Sequence, residues 1–550
     1  MPGTARNLAS LIDAFIAEEM EENPARATQL GVDGHDDRLG DMAAEDFERR
    51  AANEDAWYER FLAVGSDGDD ALPVEDSIDR DLVLSTLRGR QLMRDWMVWR
   101  RDPGVYLAPC LGSVFSLFLN RVHPEADIVE YASARLREVP RVLAAARANL
   151  DASLASRLLV ERAMGQCRAG ISYARHLVPA EVADPSAKAS LAAAGEVAAG
   201  ALEGFAAFLE ELASTASGEW AIGEKRYSAL LVEKELLGYG AAEMRSRGQA
   251  AYDELATEME ELALRIDGTR DWRSLLDRLN HDHPSTPSEM RDEYADWTER
   301  ARRFLLDTGL VTMPEGEACR VEPSPPFQRP VLAVASYSAP PAFKPTLRGT
   351  FFVPFPPDGA SADDVQKRLE TNSRWSIPTI AVHEAYPGHH WHLVTVHGCS
   401  RPVRKVFSTS YFTEGWALYA ERLMREHGFF DDPRYELCHL DARLFRAARI
   451  VVDTSLHMGE MTVDDAVTFM STRASLSEPT ARAEVGRYCS WPTQASSYLT
   501  GALEIERIRS RFLSSGLGSL RDFNDRLAGS GMLPIELAER AVMARPGIAG

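Results

Sequence analysis

His383, Glu384, His389 and His390 fall within the eight residues His383-Glu384-Ala385-Tyr386-Pro387-Gly388-His389-His390. Glu414 follows in the segment Thr413-Glu414-Gly415-Trp416-Ala417-Leu418-Tyr419-Ala420-Glu421. Two imidazoles and one carboxylate are the donor set of a hydrolytic zinc site. Such a site leaves a fourth position open for water and needs a free carboxylate to take the water's proton. The residue types therefore point to metal-assisted hydrolysis, with zinc as the expected cofactor.

The spacing departs from the usual helical arrangement, in which two histidines four residues apart share one face. The fourth residue after His383 is Pro387, and the next histidines come later. On an unbroken helix six residues rise roughly 9 Å against roughly 6 Å for four, too far for imidazole–zinc bonds of about 2 Å. Pro387 has no backbone donor, and its ring clashes with the carbonyl four residues back. A break at Tyr386-Pro387-Gly388 can therefore swing the next turn toward His383. His383 and either His389 or His390 are the expected imidazole ligands. His389 needs the smaller distortion, and His390 stands as the alternative. Without such a break these are surface histidines at a helix end.

Glu384, adjacent to His383, points off the ligand face and is the expected general base. Glu414 is the expected third ligand. Glu421 lies two helical turns further on and suits acceptance of the second N–H of a ligand histidine. Its plainer reading is an ion pair with Arg422 or Arg425. Asp441 and Asp453 are weaker candidates for that outer role. A neutral donor is also needed for the oxyanion that develops on an attacked carbonyl. Tyr498 and His457 are the expected catalytic donors, with Tyr488 a further candidate. His392 and His397 read as structural or rim residues.

The surroundings narrow the class. The chain has 550 residues, ordinary globular composition with 45% apolar residues, and a net charge of −22. So acidic a surface repels nucleic-acid phosphates and anionic lipid, and neither is an expected partner. A short peptide or peptide-like molecule is, and association as a homodimer is left open. The six cysteines are scattered and form no C-x-x-C pair, which suggests a reducing compartment. The first residues lack a basic segment leading into an apolar run, and no stretch reads as the ~20 apolar residues of a membrane span. A cytoplasmic protein is expected.

Helical periodicity marks most of the elements that must position these groups. It runs through Asn7 to Glu22, Ile128 to Leu177 with one break near Pro140, Ser186 to Thr215, and Glu243 to Ile266. Thr286 or Ser288 caps another start. From Met313 to Pro357 the chain turns proline-rich and β-like, with short strands expected at Val331–Tyr337 and Gly349–Val353. Such a strand could hold an extended peptide by its edge or be a plain hairpin. Helical pattern resumes at Ser376 and continues through Glu414–Glu426, Tyr435–Leu456, Val463–Arg473, Ala481–Tyr488, Gln494–Arg511 and Pro534–Met543. The expected organisation is an N-terminal helical region over 1–280 and a catalytic region over 281–550, with the β element at 313–357, packed as one cleft-containing unit.

These blocks carry a resemblance. His383–His390 matches H-E-x-Y-P-G-H-H, and Glu414–Leu423 reads EGWALYAERL. Arg449–His457 (RIVVDTSLH), Pro492–Gly501 (PTQASSYLTG), Asn23–Gly31 (NPARATQLG) and Asp522–Pro534 (DFNDRLAGSGMLP) match as well. Together they resemble the bacterial, gluzincin-like family called domain of unknown function 885, over nearly the whole chain. That family is distantly similar to the thimet oligopeptidase and carboxypeptidase Taq families. The resemblance implies a mainly α-helical zinc-peptidase-like fold with a small β-sheet and a central cleft. By the same comparison Glu414 falls where those families place their zinc glutamate, and Tyr498 where they place an oxyanion tyrosine. The expected function is zinc-dependent hydrolysis of short peptides or chain ends. The alternatives are hydrolysis of a non-peptide amide or ester, or a binding protein with a degenerate metal site.

Overall fold

A computed structural model describes residues 2–65, 72–326, 328–329 and 334–544, with side chains from Asn7 onward. The fold is mainly α-helical with one small sheet, as the periodicity predicts. The chain divides into two compact units.

The first unit comprises Met1–Asp76, Thr86–Ile222 and Pro341–Thr346. Its long helices Glu125–Asn149 and Arg157–Ser172 both pack along Pro185–Thr215. The expected break at Pro140 is corrected: the helix runs through it to Asn149. The interruption falls at residues 150–156, where Asp151 accepts hydrogen bonds from Ser153 N and Oγ at 2.9 and 2.6 Å. That local turn competes with helical bonding, whereas Pro140 lies in a helix held by a buried stripe including Leu136, Val139 and Leu143. Pro185–Thr215 is, on length and composition, a helix long and apolar enough to cross a membrane, against the expectation that no stretch is. Its Leu191, Leu202, Phe205 and Leu209 are buried within the unit.

The second unit comprises Ser77–Ser85, Gly223–Pro340 and Leu347–Gly550. The expected boundary at residue 280 therefore moves to Ile222/Gly223. Helix α1 (Ala241–Asp267) lies lengthwise on a later helix, Pro433–Met458. The approach is close: a Cβ on Gly248 would stand 2.5 Å from Ile450 Cγ2. Sequence distance gave no hint of this pairing, which ties residues before 280 to the C-terminal region.

The remaining site-bearing elements follow in order. Helix α2 spans Pro287–Thr308 and is capped by Thr286, which accepts from Glu289 N. Strand β1 (Ala318–Pro323) pairs parallel to β3 (Arg348–Val353), and β2 (Ser336–Ser338) pairs antiparallel to it, in the order β1-β3-β2. The sheet lies inside the expected 313–357. Of the expected strand Val331–Tyr337, only Ser336 and Tyr337 belong to β2, and residues 331–333 lie outside the described residues. β1 escaped the sequence reading because Arg320 and Glu322 interrupt its short apolar run and none of its residues is fully buried. Then come α3 (Ile377–Glu384), α4 (His389–His397), α5 (Ser410–Glu426), α6 (Pro433–Met458), α7 (Glu478–Ser490) and α8 (Ser497–Ser514).

Two close backbone approaches set the geometry of this unit. At the first, α3 ends and α4 begins. A Cβ on Gly388 would lie 2.0 Å from the His383 carbonyl oxygen and 2.3 Å from that of Val382. Only glycine fits there, and Gly388 N donates to Val382 O at 3.1 Å. Trp416 Nε1 donates to the Pro387 carbonyl at 2.8 Å, so α5 holds the break from the other side. At the second, α5 crosses α8, where a Cβ on Gly415 would stand 2.6 Å from Gly501 C. This contact pins Glu414 and Tyr498, one and three residues away, to neighbouring backbones.

Candidate metal centre

His383 closes the last turn of α3, His389 opens α4, and Glu414 sits in the second turn of α5. Their ligand atoms all lie within 4.8 Å of one another. Glu414 Oε2 is 3.4 Å from His389 Nε2 and 3.7 Å from His383 Nε2. The two rings stand at 87° with centroids 4.8 Å apart. The chain thus breaks where Pro387 and Gly388 require it, and the sharp return brings together histidines that a straight helix would separate.

Glu421 lies deeper, two turns along α5, and is 1% exposed. Its Oε1 is 2.7 Å from His383 Nδ1. A carboxylate can only accept, so Nδ1 carries a proton, and Nε2 faces His389 and Glu414. The other oxygen, Oε2, is 3.2 Å from Nδ1 of His439 on α6. Glu421 is therefore a buried partner of His383, and the surface-pair reading with Arg422 or Arg425 fails on its burial.

The charges fit this arrangement. Burial alone would pull the His383 pKa down, but the carboxylates of Glu414 and Glu421 bonded to the ring hold it up at about 10. Burial alone would raise Glu414, and the imidazoles of His383 and His389 hold it well below the usual carboxylate range instead. Glu421 is held low in the same way by His383 and His439.

Glu384 is buried beside His383, and its carboxylate makes no hydrogen bond among the described residues. Among the described residues its carboxylate is left uncommitted next to the cluster.

The alternative ligand His390 is not at the cluster. Fully buried, it donates from Nε2 to Glu317 Oε2 at 2.8 Å and accepts at Nδ1 from the Tyr337 hydroxyl at 2.8 Å. Glu317 also accepts from Tyr386 Oη and, at 2.8 Å, from Arg302 Nε. With both ring nitrogens engaged, His390 joins α4 to the sheet and to α2. Consecutive helical residues point about 100° apart, so only one of the two histidines can face Glu414.

Tyr498 stands in the first turn of α8. Its hydroxyl accepts from Gln494 Nε2 at 3.4 Å, and the Arg449 guanidinium lies over its ring at 4.7 Å. Burial raises its pKa, and the charge of Glu414 adds to the rise. His457 is placed differently. It is fully buried, bonds through Nε2 to the Tyr488 carbonyl at 3.1 Å, and lies 3.7 Å from Asp453 Oδ1. Asp453 accepts from Tyr227 Oη at 2.6 Å. His457 and Asp453 thus serve an internal network, and the expectation of a catalytic His457 is corrected: its donor is spent on a backbone carbonyl.

The sequence reading missed His439, Glu317 and Arg449 as parts of the site's surroundings. His439 and Glu317 lack any motif. Arg449 lies in a quoted block, where its position alone implied no partner.

A mainly helical fold carrying a two-histidine, one-glutamate cluster is the class that these elements define. The chain belongs to the family described as bacterial protein of unknown function (DUF885), whose model matches residues 24–542. No curated protein matches it. Two solved structures share the fold. One is described as a putative lipoprotein of unknown function from Shewanella oneidensis, with 21% identity, TM-score 0.79, and 98% of this chain and 100% of that chain covered. The other is described as the putative lipoprotein from Colwellia psychrerythraea, with 20% identity, TM-score 0.82, and 98% and 99% covered. These descriptions overturn the expectation of a cytoplasmic protein. That expectation leaned on scattered cysteines, on a start without a leader pattern and on the lack of an apolar span, and none of these defines a compartment.

Proposed function

We propose that this protein is a zinc-dependent peptidase acting on short peptides or chain ends. The observation that carries the reading is the convergence of His383 Nε2, His389 and Glu414 beside the unpartnered carboxylate of Glu384. The donors suit zinc: ligands held about 2.1 Å from a tetrahedral ion lie about 3.4 Å apart, against 3.4 and 3.7 Å between Glu414 and the imidazoles. The resemblance to gluzincin-like peptidases supports the same assignment.

His383, His389 and Glu414 would hold the ion, and Glu421 would fix the His383 ring and its tautomer. Zinc bound there would polarise a carbonyl and lower the pKa of a water toward neutrality. Glu384 takes the proton of the attacking water and passes it to the leaving amine. Tyr498, whose raised pKa keeps its hydroxyl protonated, donates a hydrogen bond to the oxyanion.

The test is metal content of protein purified without chelator, followed by hydrolysis of a mixed peptide library with wild type and Glu384→Gln. About one zinc per chain in both proteins is expected. Turnover should fall roughly 10²- to 10⁴-fold in the variant. Protein that stays free of metal after zinc addition, or a variant with normal turnover, overturns the reading.

A further inference from the structure

Next to the proposed hydrolytic centre two arginines share one carboxylate. Arg449 Nη2 and Arg487 Nη2 both donate to Glu484 Oε2, at 2.7 and 2.9 Å. Their other hydrogen bonds go to neutral oxygens: Arg449 Nε to Tyr488 Oη at 3.1 Å, and Arg487 Nη1 to Gln494 Oε1. Tyr488 Oη in turn donates to Glu484 at 2.7 Å. Among the described residues no second carboxylate pairs with either guanidinium. The cluster is thus locally positive in a chain of net charge −22. Arg449 Nη1 and Arg487 Nε have no acceptor among the described residues, and neither is sealed inside the protein.

The cluster adjoins the centre. The Arg449 guanidinium lies 4.7 Å over the Tyr498 ring, and Tyr498 is the residue that the α5–α8 crossing pins beside Glu414. A plain structural tie between α6 and α7 would need only Arg449 and Glu484. Arg487, 19% exposed, adds an i,i+3 pair to the same carboxylate within α7, so two guanidinium charges stand against one carboxylate. Guanidinium forks match a carboxylate closely, and the same pair would repel an ammonium group.

We propose that Arg449 and Arg487 form the subsite for a free carboxylate on the substrate, so that cleavage occurs near the carboxyl end of a short peptide. This rests on the peptidase reading and names the end of the chain it acts on. Arg449 and Arg487 bind and orient the substrate carboxylate, and Tyr498 separates that contact from the scissile carbonyl.

The experiment is binding without turnover. Zinc-loaded, immobilised full-length Glu384→Gln protein is offered a randomised tetrapeptide pool as free acids and the same pool as carboxyl-terminal amides. The acids should be retained roughly 10-fold or more over the amides, the scale of a hydrogen-bonded charge. Arg487→Ala in the same background should bring that ratio toward one, and Arg487→Lys should restore part of it. Arg487 is the informative position because it is more exposed than Arg449, whose loss could disturb the α6–α7 packing. Equal retention of the two pools, retention of neither, or an unchanged ratio in Arg487→Ala overturns the proposal. Library cleavage by wild type decides the peptidase reading separately: cleavage without preference for a free carboxyl end leaves that reading standing and removes this one.

Discussion

Glu421 accepts a hydrogen bond from His383 Nδ1 at 2.7 Å with one oxygen and lies 3.2 Å from His439 Nδ1 with the other. One buried carboxylate thus joins α3, α5 and α6 and decides which nitrogen of His383 faces Glu414. Outer partners of this kind typically change metal affinity 10- to 100-fold. Glu421→Gln should therefore weaken zinc binding by roughly that factor while the protein stays folded. Competition with a chelator of known affinity measures it, and unchanged affinity would remove Glu421 from the site.

His389 and His390 should separate cleanly. His389→Ala should abolish tight zinc binding, because its Nε2 is 3.4 Å from Glu414. His390→Ala should keep the metal. It leaves Glu317 and Tyr337 short of a partner and should cost about 1–3 kcal/mol of stability. Zinc stoichiometry and denaturant unfolding on the two variants give both readouts, and zinc lost only from the His390 variant would reverse the assignment.

Gly388→Ala should damage the centre without touching a ligand. The added Cβ meets the backbone oxygens of His383 and Val382 at 2.0 and 2.3 Å, and no side chain can move aside. The last turn of α3 and the start of α4 must separate, at about 1–3 kcal/mol, and His389 moves with α4. Loss of zinc together with a lowered unfolding midpoint is expected, and full zinc occupancy at native stability would show that the break tolerates a side chain.

His392 should make the fold acid-sensitive. Its ring is fully buried between Phe412 and Trp416, with neither nitrogen hydrogen-bonded among the described residues. Burial, with His389 adding, pushes its pKa down to about 3. The unfolded chain takes up this proton near the ordinary histidine value of about 6.5, and the folded chain does not. Between those two values the unfolded state binds more protons, so stability falls as pH falls. Unfolding free energies of wild type and His392→Phe over pH 7 to 4 should show the shallower decline in the variant, and parallel curves would count against this source.

Chemistry was legible in the sequence because it depends on residue type and near spacing. His383, Glu384 and Glu414 declare a donor set, and Pro387-Gly388 declares a break, since proline and glycine act on their own backbone whatever the rest of the chain does. Most helices were legible for the same local reason. What only the tertiary structure decided are relations between distant residues. Which of His389 and His390 turns inward depends on the direction in which α4 restarts, and Glu317, 73 residues before His390, claims the other one. Glu421 reaches His439 and Arg449 reaches Glu484 because α5, α6 and α7 pack together, and packing partners leave no periodic mark on either segment. Residues 241–280 join the C-terminal unit because Gly248 allows α1 to lie against Ile450, a contact that neither helix's own pattern encodes.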